Sequence, residues 1–177
     1  MTASFRRLAA IAIACATLLT VSIAPVGAAG AVQVRGVAEF DWSISLGVPP
    51  DVGSTCPLPG GEFAAHTDFT LAFAGDLQGC WYTFIEEIKD QPGGTYRERG
   101  REVFIGEYLG QAGSFQTTYQ FEGKFDESGA EIHGRCQHRI TAGSGTGVFG
   151  GVSGRIDIKD DVETGCYFYR GHLHWDD

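Results

Sequence analysis

Alternation of apolar and polar residues constrains the fold of this chain more than any other feature, and it recurs from residue 32 almost to the C-terminus. The clearest case is the segment GSFQTTYQFEGKFD, residues 113–126. One face carries Phe115, Thr117, Tyr119, Phe121 and Phe125, and the other carries Gln116, Thr118, Gln120, Glu122 and Lys124. A period of two residues is typical of a half-buried β-strand, whereas an amphipathic helix repeats every 3.6 residues. The chain is therefore predicted to be all-β.

Eight such segments are separated by turn signals such as DQPGG and ESG. They lie within residues 32–46, 66–77, 79–88, 95–110, 113–126, 131–142, 155–161 and 165–175. Regular short strands of this kind indicate a sandwich or a barrel. Eight strands also close into a small up-and-down barrel in which no strand keeps an unpaired edge. We predict a single domain over residues 32–177, an eight-stranded antiparallel up-and-down barrel.

The first 31 residues are expected to direct export and to be removed. Arg6 and Arg7 precede the apolar run LAAIAIACATLLTVSIA, which is followed by the small residues PVGAAGA. This order is the pattern of a secretory signal peptide. Cleavage after Ala28 and cleavage after Ala31 both fit the pattern, and an uncleaved membrane anchor is the alternative. The mature chain is expected to be periplasmic or secreted.

The charge balance argues against nucleic acid and membrane surfaces as partners. The chain has 13 Lys and Arg against 22 Asp and Glu, and two of the cations lie in the expected signal peptide. A surface this acidic repels phosphate backbones and anionic lipids. No second apolar stretch approaches the ~20 residues of a membrane span. We therefore expect no nucleic-acid partner, and no membrane partner once the signal peptide is removed, while the oligomeric state stays open.

Four cysteines remain after the signal peptide, namely Cys56, Cys80, Cys136 and Cys166. An even number of cysteines in an oxidising compartment predicts two disulfides. If the strands run up and down, Cys56 and Cys166 meet at one end of the barrel, and Cys80 and Cys136 share the apolar faces of their strands. This topology favours the pairs Cys56–Cys166 and Cys80–Cys136. Local pairing of Cys56 with Cys80 is the alternative.

The stretch GSGTGVFGGVSGRIDI, residues 143–158, contains the pattern G-x-G-x-x-G at Gly145, Gly147 and Gly150. A dinucleotide-binding loop of this form follows a buried parallel strand and opens a helix. Here it lies between two amphipathic strands, so no nucleotide is predicted, and no other cofactor or metal is expected. We interpret the stretch as a close-packed corner in which glycines let backbones approach and Phe149 plugs the barrel. The residues given this structural role are Gly145, Gly147, Phe149, Gly151 and Gly154.

The longer string GTGVFGGVSGRI resembles the signature of the allene oxide cyclase and dirigent-type β-barrels. The resemblance implies an eight-stranded, calycin-like barrel. Together with GRCQH, the string is also similar to small exported bacterial proteins of unassigned function. The acid, arginine and tyrosine positions of the catalytic family members have no matching local string here, so no catalytic residue can be transferred.

Polar residues that share the apolar phase of a strand are candidates for chemistry, because a small barrel should keep its charges outside. On the sixth strand His138 is in phase with the apolar residues. On the fourth strand Glu98 and Glu102 are in phase with Phe104, which favours an inward orientation. Near His138 and the Tyr119 hydroxyl, such a carboxylate would be a general acid or base. The alternative is that the first half of this strand projects beyond the barrel into water.

The leading functional prediction is binding of a small apolar or aromatic ligand in the lumen, without turnover. The residues expected to line the site are Trp42, Tyr82, Phe84, Tyr119, Phe121, Tyr167 and Tyr169. One alternative is a cyclase or isomerase in which Glu98, Glu102 or His138 acts. Another is a structural or interaction barrel with a filled core. An open apolar lumen would favour binding, and a carboxylate beside a histidine at its base would favour catalysis.

Overall fold

The computed structural model describes residues 30–41, 56–57, 59–64, 67–161 and 166–175, which form nine strands and one 3₁₀ turn at Gly61–Ala64. The strands are β1 Val32–Phe40, β2 Phe69–Gly75, β3 Leu77–Gln91, β4 Thr95–Tyr108, β5 Gln111–Phe125, β6 Glu131–Ile140, β7 Thr146–Gly147, β8 Val152–Asp161 and β9 Cys166–Trp175. Among these residues, no helix is long and apolar enough to cross a membrane. Trp42 and all but the last two residues of the expected signal peptide lie outside the described residues.

Eight of the strands close into an antiparallel barrel, which confirms the predicted fold class. Their hydrogen-bonded order is β4-β3-β2-β1-β9-β8-β6-β5, and a ladder between β4 and β5 joins the two ends. The short strand β7 pairs with the start of β5, where Thr146 lies opposite Ser114 and Gly147 opposite Gly113. Closure pairs every strand of the ring on both sides, which removes the free sheet edges of an open sheet.

One half of the barrel interior is filled with aromatic rings. The main hydrophobic core takes residues from all eight strands of the ring, so it lies in the lumen. Trp81, Phe104 and Phe115 stand at one level across β3, β4 and β5. Phe149 lies over them, with ring centroids 5.0 Å from Phe115 and 5.7 Å from Phe104. We call this half of the barrel the closed end.

The glycine-rich segment forms the corner that holds Phe149 in place. Phe149 is fully buried, as its predicted role as a plug requires. A Cβ on Gly145 would lie 1.8 Å from the carbonyl oxygen of Phe149, and Gly147 has a φ of 57°. Both positions therefore require glycine. The segment continues directly into β8 and opens no helix, so it lacks the structure of a dinucleotide-binding loop.

A second, smaller core lies on the outer face of β3, under the segment that precedes β2. It consists of Cys56, Phe63, Cys80, Tyr82 and Val103, with Phe84 packed against it. The Tyr82 hydroxyl donates to the Pro57 carbonyl at 2.7 Å, while the neighbouring Trp81 points into the lumen. The prediction that Cys80, Tyr82 and Phe84 face inward is therefore wrong. The covering segment buries the outer face of β3, so both faces of this strand are apolar.

Cys56 forms a disulfide with Cys80, with a Cα–Cα distance of 5.7 Å. The favoured pairs Cys56–Cys166 and Cys80–Cys136 are therefore wrong, and the local alternative is the one observed. Cys80 lies outside the barrel wall, whereas Cys136 lies inside and its thiol is free. Cys136 and Cys166 are on β6 and β9 with β8 between them and are offset by three residues in register, so their backbones lie more than about 9–10 Å apart. A disulfide spans at most ~7 Å between Cα atoms.

Replacing Cys56 and Cys80 together by alanine is expected to lower the free energy of unfolding by about 3 kcal/mol. The disulfide joins residues separated by 24 positions, and losing that constraint raises the entropy of the unfolded chain. Urea unfolding of the wild type and the double variant, each with and without dithiothreitol, measures the effect. Reductant should shift the wild-type midpoint and leave the variant unchanged. A wild-type midpoint that reductant does not move would contradict the assignment.

Candidate active site

The other half of the barrel interior is open and forms a pocket of about 220 Å³. Its apolar wall includes Phe40, Phe69, Leu71, Phe121, Phe125 and Tyr167. Glu102 and His138 also line it, and they lie next to the filled core, with His138 edge-on to the Trp81 ring at 5.2 Å. We call this half the open end, and its pocket the open-end pocket.

Strand register brings the polar residues of this pocket into two stacked levels. Thr83, Glu102 and Thr117 lie opposite one another across β3, β4 and β5. One level towards the open end, Tyr119 on β5 lies opposite His138 on β6. Because residues two apart on a strand share a face, both levels point into the lumen. The site is therefore assembled from four consecutive elements of the ring.

The Glu102 carboxylate is the centre of the lower level and is 1 % exposed. Thr83 Oγ1 donates to its Oε1 at 3.1 Å, and Thr117 Oγ1 donates to its Oε2 at 2.7 Å. The third partner is Nδ1 of His138, at 2.6 Å from Oε2. Burial of a carboxylate is costly unless donors replace the lost water, and here three side chains do so. The network fixes both Glu102 and the ring of His138.

The hydrogen bond to Glu102 determines which nitrogen of His138 carries the proton. An ionised carboxylate can only accept, so the neutral imidazole donates from Nδ1 and keeps its lone pair on Nε2. The residue is 2 % exposed, and its ring stacks on Tyr119 with centroids 5.9 Å apart. Nε2 is buried and has no hydrogen-bond partner among the described residues. A buried acceptor without a donor is rare, and a ligand group or a water molecule is the usual explanation.

A second carboxylate, Glu98, lies one level further towards the open end and is bound by two phenols. Tyr119 donates to its Oε1, and Tyr96 donates to its Oε2 at 2.6 Å. Burial, and then the hydrogen bond to Glu98, raises the pKa of both tyrosines well above the usual value. Both phenols therefore stay protonated and remain donors at neutral pH. Gly100 leaves room for the Tyr119 ring, since a Cβ there would lie 2.8 Å from its Cε1.

The free thiol of Cys136 also lines the open-end pocket. Burial, followed by the charges of Glu102 and Glu98, raises the pKa of this thiol well above its usual value. The thiolate is the nucleophilic form of cysteine, and it is not populated here at neutral pH. Cys136 is therefore part of the wall and is not suited to be a nucleophile.

Glu131 and Asp160 form a pair of carboxyl groups that also lines this pocket. Burial, and then the charge of Asp160, raises the pKa of Glu131 to about 7. Tyr167 stands next to the pair, since burial and then the charges of Asp160 and Glu131 raise its pKa to about 12. Near neutral pH the Glu131 carboxyl group is therefore partly protonated.

The candidate acid–base residues named from the sequence come together in the structure. Glu98, Glu102 and His138 all line the open-end pocket. Of the predicted ligand residues, Tyr119, Phe121 and Tyr167 line it, and Tyr169 belongs to the filled core. Tyr82 and Phe84 lie outside the barrel wall, and Trp42 lies outside the described residues. The arrangement can accept, hold and return a proton at the inner end of an apolar cavity.

Sequence reasoning missed several site residues, among them Thr83 and Thr117, which hold Glu102. Thr117 was assigned to the same face as Phe115 and Tyr119, so alternation alone could have placed it beside the candidates. The sequence does not single out Thr83, because β3 is apolar on both faces and the prediction takes its outer face as the inner one. A hydroxyl in an inward phase next to a buried carboxylate is the signal that would have found both.

A larger groove of about 670 Å³ adjoins the open-end pocket and shares Glu98, Phe121 and Arg135 with it. Lys89 and Arg99 of this groove pair with Glu87 at 2.8 and 2.5 Å, and Arg97 pairs with Glu122 at 2.7 Å. These exposed ion pairs contribute little stability. Glu102 and His138 line the open-end pocket and do not line this groove, so the open-end pocket is the candidate site.

Comparison with models of known protein families finds no match, and a search of curated proteins finds none either. The eight-stranded antiparallel barrel is consistent with a calycin-like barrel. The finer resemblance to allene oxide cyclases and dirigent proteins rests on the GTGVFGGVSGRI string.

Proposed function

We propose that this chain is an exported proton-transfer catalyst of the isomerase or cyclase class, acting on a small, mainly apolar substrate in the open-end pocket. The observation that carries the proposal is the unpartnered Nε2 of His138, on a ring whose Nδ1 is held by buried Glu102. In this mechanism Nε2 takes a proton from one substrate atom and returns it to a neighbouring one. Glu102 orients the ring and stabilises the imidazolium between the two steps.

The buried carboxylate–histidine pair favours catalysis over a purely structural role. Breaking such a pair is costly, but replacing it whole by apolar residues of similar volume is often neutral or stabilising. A barrel that needed only a filled core would therefore gain nothing from Glu102 and His138. Buried ionisable groups with a specific partner in a cavity are typical of functional sites.

The pocket volume limits the substrate to a small molecule. About 220 Å³ is less than the ~300–1,000 Å³ of pockets that bind drug-sized ligands. An apolar cavity of roughly 150 Å³ accommodates benzene. The substrate that fits is one ring, or an equivalent chain, with short substituents.

Binding without turnover is the second candidate, and the apolar wall of the same pocket favours it. Rings such as Phe40, Phe69 and Phe121 would bind an aromatic ligand even if His138 transferred no proton. The two candidates differ in one observable, namely whether the protein moves a proton on a bound molecule.

Wild-type protein is expected to exchange the acidic C–H groups of phenylacetone, a small enolisable ketone, with solvent deuterium. Proton NMR in D2O follows the exchange. Replacing His138 by glutamine should slow it by about 10²-fold or more, the usual contribution of a positioned acid–base group. The matched control is His133→Gln, the same change at an exposed position of the same strand, which should leave the rate unchanged.

The same samples separate the two candidates. A saturation-transfer signal shows that phenylacetone binds. If that signal appears but C–H exchange is no faster than in buffer without protein, the catalytic proposal is overturned and binding is supported. Equal exchange rates in wild type and the His138→Gln variant would exclude His138 as the acid–base group.

A further inference from the structure

Two hydrogen-bond acceptors of the open-end pocket lack donors among the described residues. His138 offers the lone pair of Nε2, and Oε1 of Glu131 is likewise buried without a hydrogen-bond partner among the described residues. The Tyr119 phenol faces the same cavity but already donates to Glu98. Leaving a buried acceptor unpaired costs free energy, because the group loses its hydrogen bonds to water. A ligand that brings N–H or O–H donors removes that cost.

The pocket is also acidic. Glu98, Glu102, Glu131 and Asp160 line it, against one arginine, Arg135, whose side chain is exposed. Two carboxyl groups held close together cannot both ionise freely, and a cation between them removes the repulsion. Within the part of the chain that the structure describes, no group of three or more His, Cys, Asp or Glu could hold a metal ion. The charge pattern therefore favours an organic cation as the ligand of this pocket.

Aromatic rings line the same pocket as the Glu131–Asp160 pair. Phe40 meets Tyr167 edge-to-face with centroids 5.0 Å apart, and meets Phe69 in the same way at 5.6 Å. Tyr167 lies within electrostatic range of both carboxyl groups. Aromatic faces attract ammonium ions, and the attraction grows when the ion is removed from water. Rings and carboxylates together form the combination that recognises amines.

We propose that the open-end pocket takes a small aromatic or cyclic amine in its ammonium form. The ammonium donates to Glu131 and Asp160 beside the rings of Phe40 and Tyr167, and the apolar body extends towards His138. This inference rests on the proposed function, because it names the substrate class of the same site. It also supplies the donor that the buried Oε1 of Glu131 lacks among the described residues.

Three probes of similar size and different charge test the ligand class. They are 2-phenylethylamine, phenylacetone and 3-phenylpropionate, which at pH 7.5 are cationic, neutral and anionic. Isothermal titration calorimetry should give a dissociation constant for the amine at least about 10-fold below that of the ketone. The anion should show no measurable binding, because four carboxyl groups line the pocket.

Variants then locate the ammonium. Glu131→Gln and Asp160→Asn should each weaken amine binding by about 10-fold and leave ketone binding unchanged, which also shows that the variants are folded. Glu127→Gln is the matched control, since it removes the same charge from an exposed turn between β5 and β6. It should change neither affinity.

The outcomes separate this inference from the proposed function. Equal binding of amine and ketone, or amine binding that survives both carboxyl substitutions, overturns the amine inference while phenylacetone exchange by His138 still stands. Tight amine binding with no His138-dependent exchange overturns the catalytic proposal and leaves the ligand class in place.

Discussion

Replacing Glu102 by alanine is expected to lower the free energy of unfolding by about 3–5 kcal/mol, more than any other single change in the site. The carboxylate is 1 % exposed and accepts hydrogen bonds from Thr83, Thr117 and His138. Alanine would leave these three donors buried without an acceptor and would create a cavity between β3, β4 and β6.

Urea unfolding of the Glu102→Ala variant and of a matched control measures this effect. Glu107→Ala removes the same side chain from an exposed position of β4 and should change stability by less than about 0.5 kcal/mol. A loss below about 1 kcal/mol for Glu102→Ala would mean that the buried network does not contribute as its geometry requires.

Glu102→Gln separates the chemical role of this residue from its structural role. The amide has nearly the same volume, so most of the stability should remain. When its NH2 group faces His138, it donates to Nδ1, and the ring proton moves to Nε2. In that orientation the variant should stay folded, show the opposite tautomer in the nitrogen NMR spectrum of His138, and lose phenylacetone exchange. If the amide oxygen faces His138 instead, the tautomer and the exchange should both be kept. Exchange at the wild-type rate with the opposite tautomer would rule out Nε2 as the base.

The alternation of residues along the strands was sufficient to predict that the acid–base candidates of the site face the lumen. Glu98 and Glu102 share the face of Phe104 on β4, and His138 shares the face of Ile140 on β6. Where one face of a strand meets solvent, apolar residues mark the other face, and a polar residue in the inward phase stands out. On β4 and β6 the outer faces are charged, so this condition holds.

The same reasoning failed on β3 for a physical reason. The segment carrying Cys56 and Phe63 covers the outer face of this strand, so Cys80 and Tyr82 are buried outside the barrel. The hydrophobic pattern of β3 therefore does not show which of its faces lines the lumen. The wrong phase of Cys80 led directly to the wrong disulfide pairing, because it placed Cys80 inside with Cys136.

The alternation of residues along the strands also does not show which half of the lumen is filled with side chains. That property depends on the summed volumes of side chains from eight strands that are distant in sequence. At the closed end Trp81, Phe104, Phe115 and Phe149 meet and leave no space. At the open end smaller residues such as Gly134 and Cys136 leave the pocket.

Replacing Phe149 by alanine is the second change with a large expected effect, a loss of about 3–5 kcal/mol in the free energy of unfolding. The ring is fully buried and packs edge-to-face on Phe104 and Phe115. Backbone hydrogen bonds of residues 148–152 hold the corner in its conformation, so it cannot readily collapse into the space that the ring leaves. A cavity that does not relax gives the upper part of the range for this kind of substitution.

Phe168→Ala is the control for Phe149→Ala, because it removes the same ring from β9 at a position that is 45 % exposed. Its loss should stay below about 1 kcal/mol, so the difference between the two variants reports the packing at the closed end. Phe149→Leu should recover part of the loss by refilling the cavity. If Phe149→Ala costs no more than Phe168→Ala, the glycine-rich segment does not act as the plug of the barrel. The full loss would show that this segment stabilises the closed end, against which the acid–base pair is held.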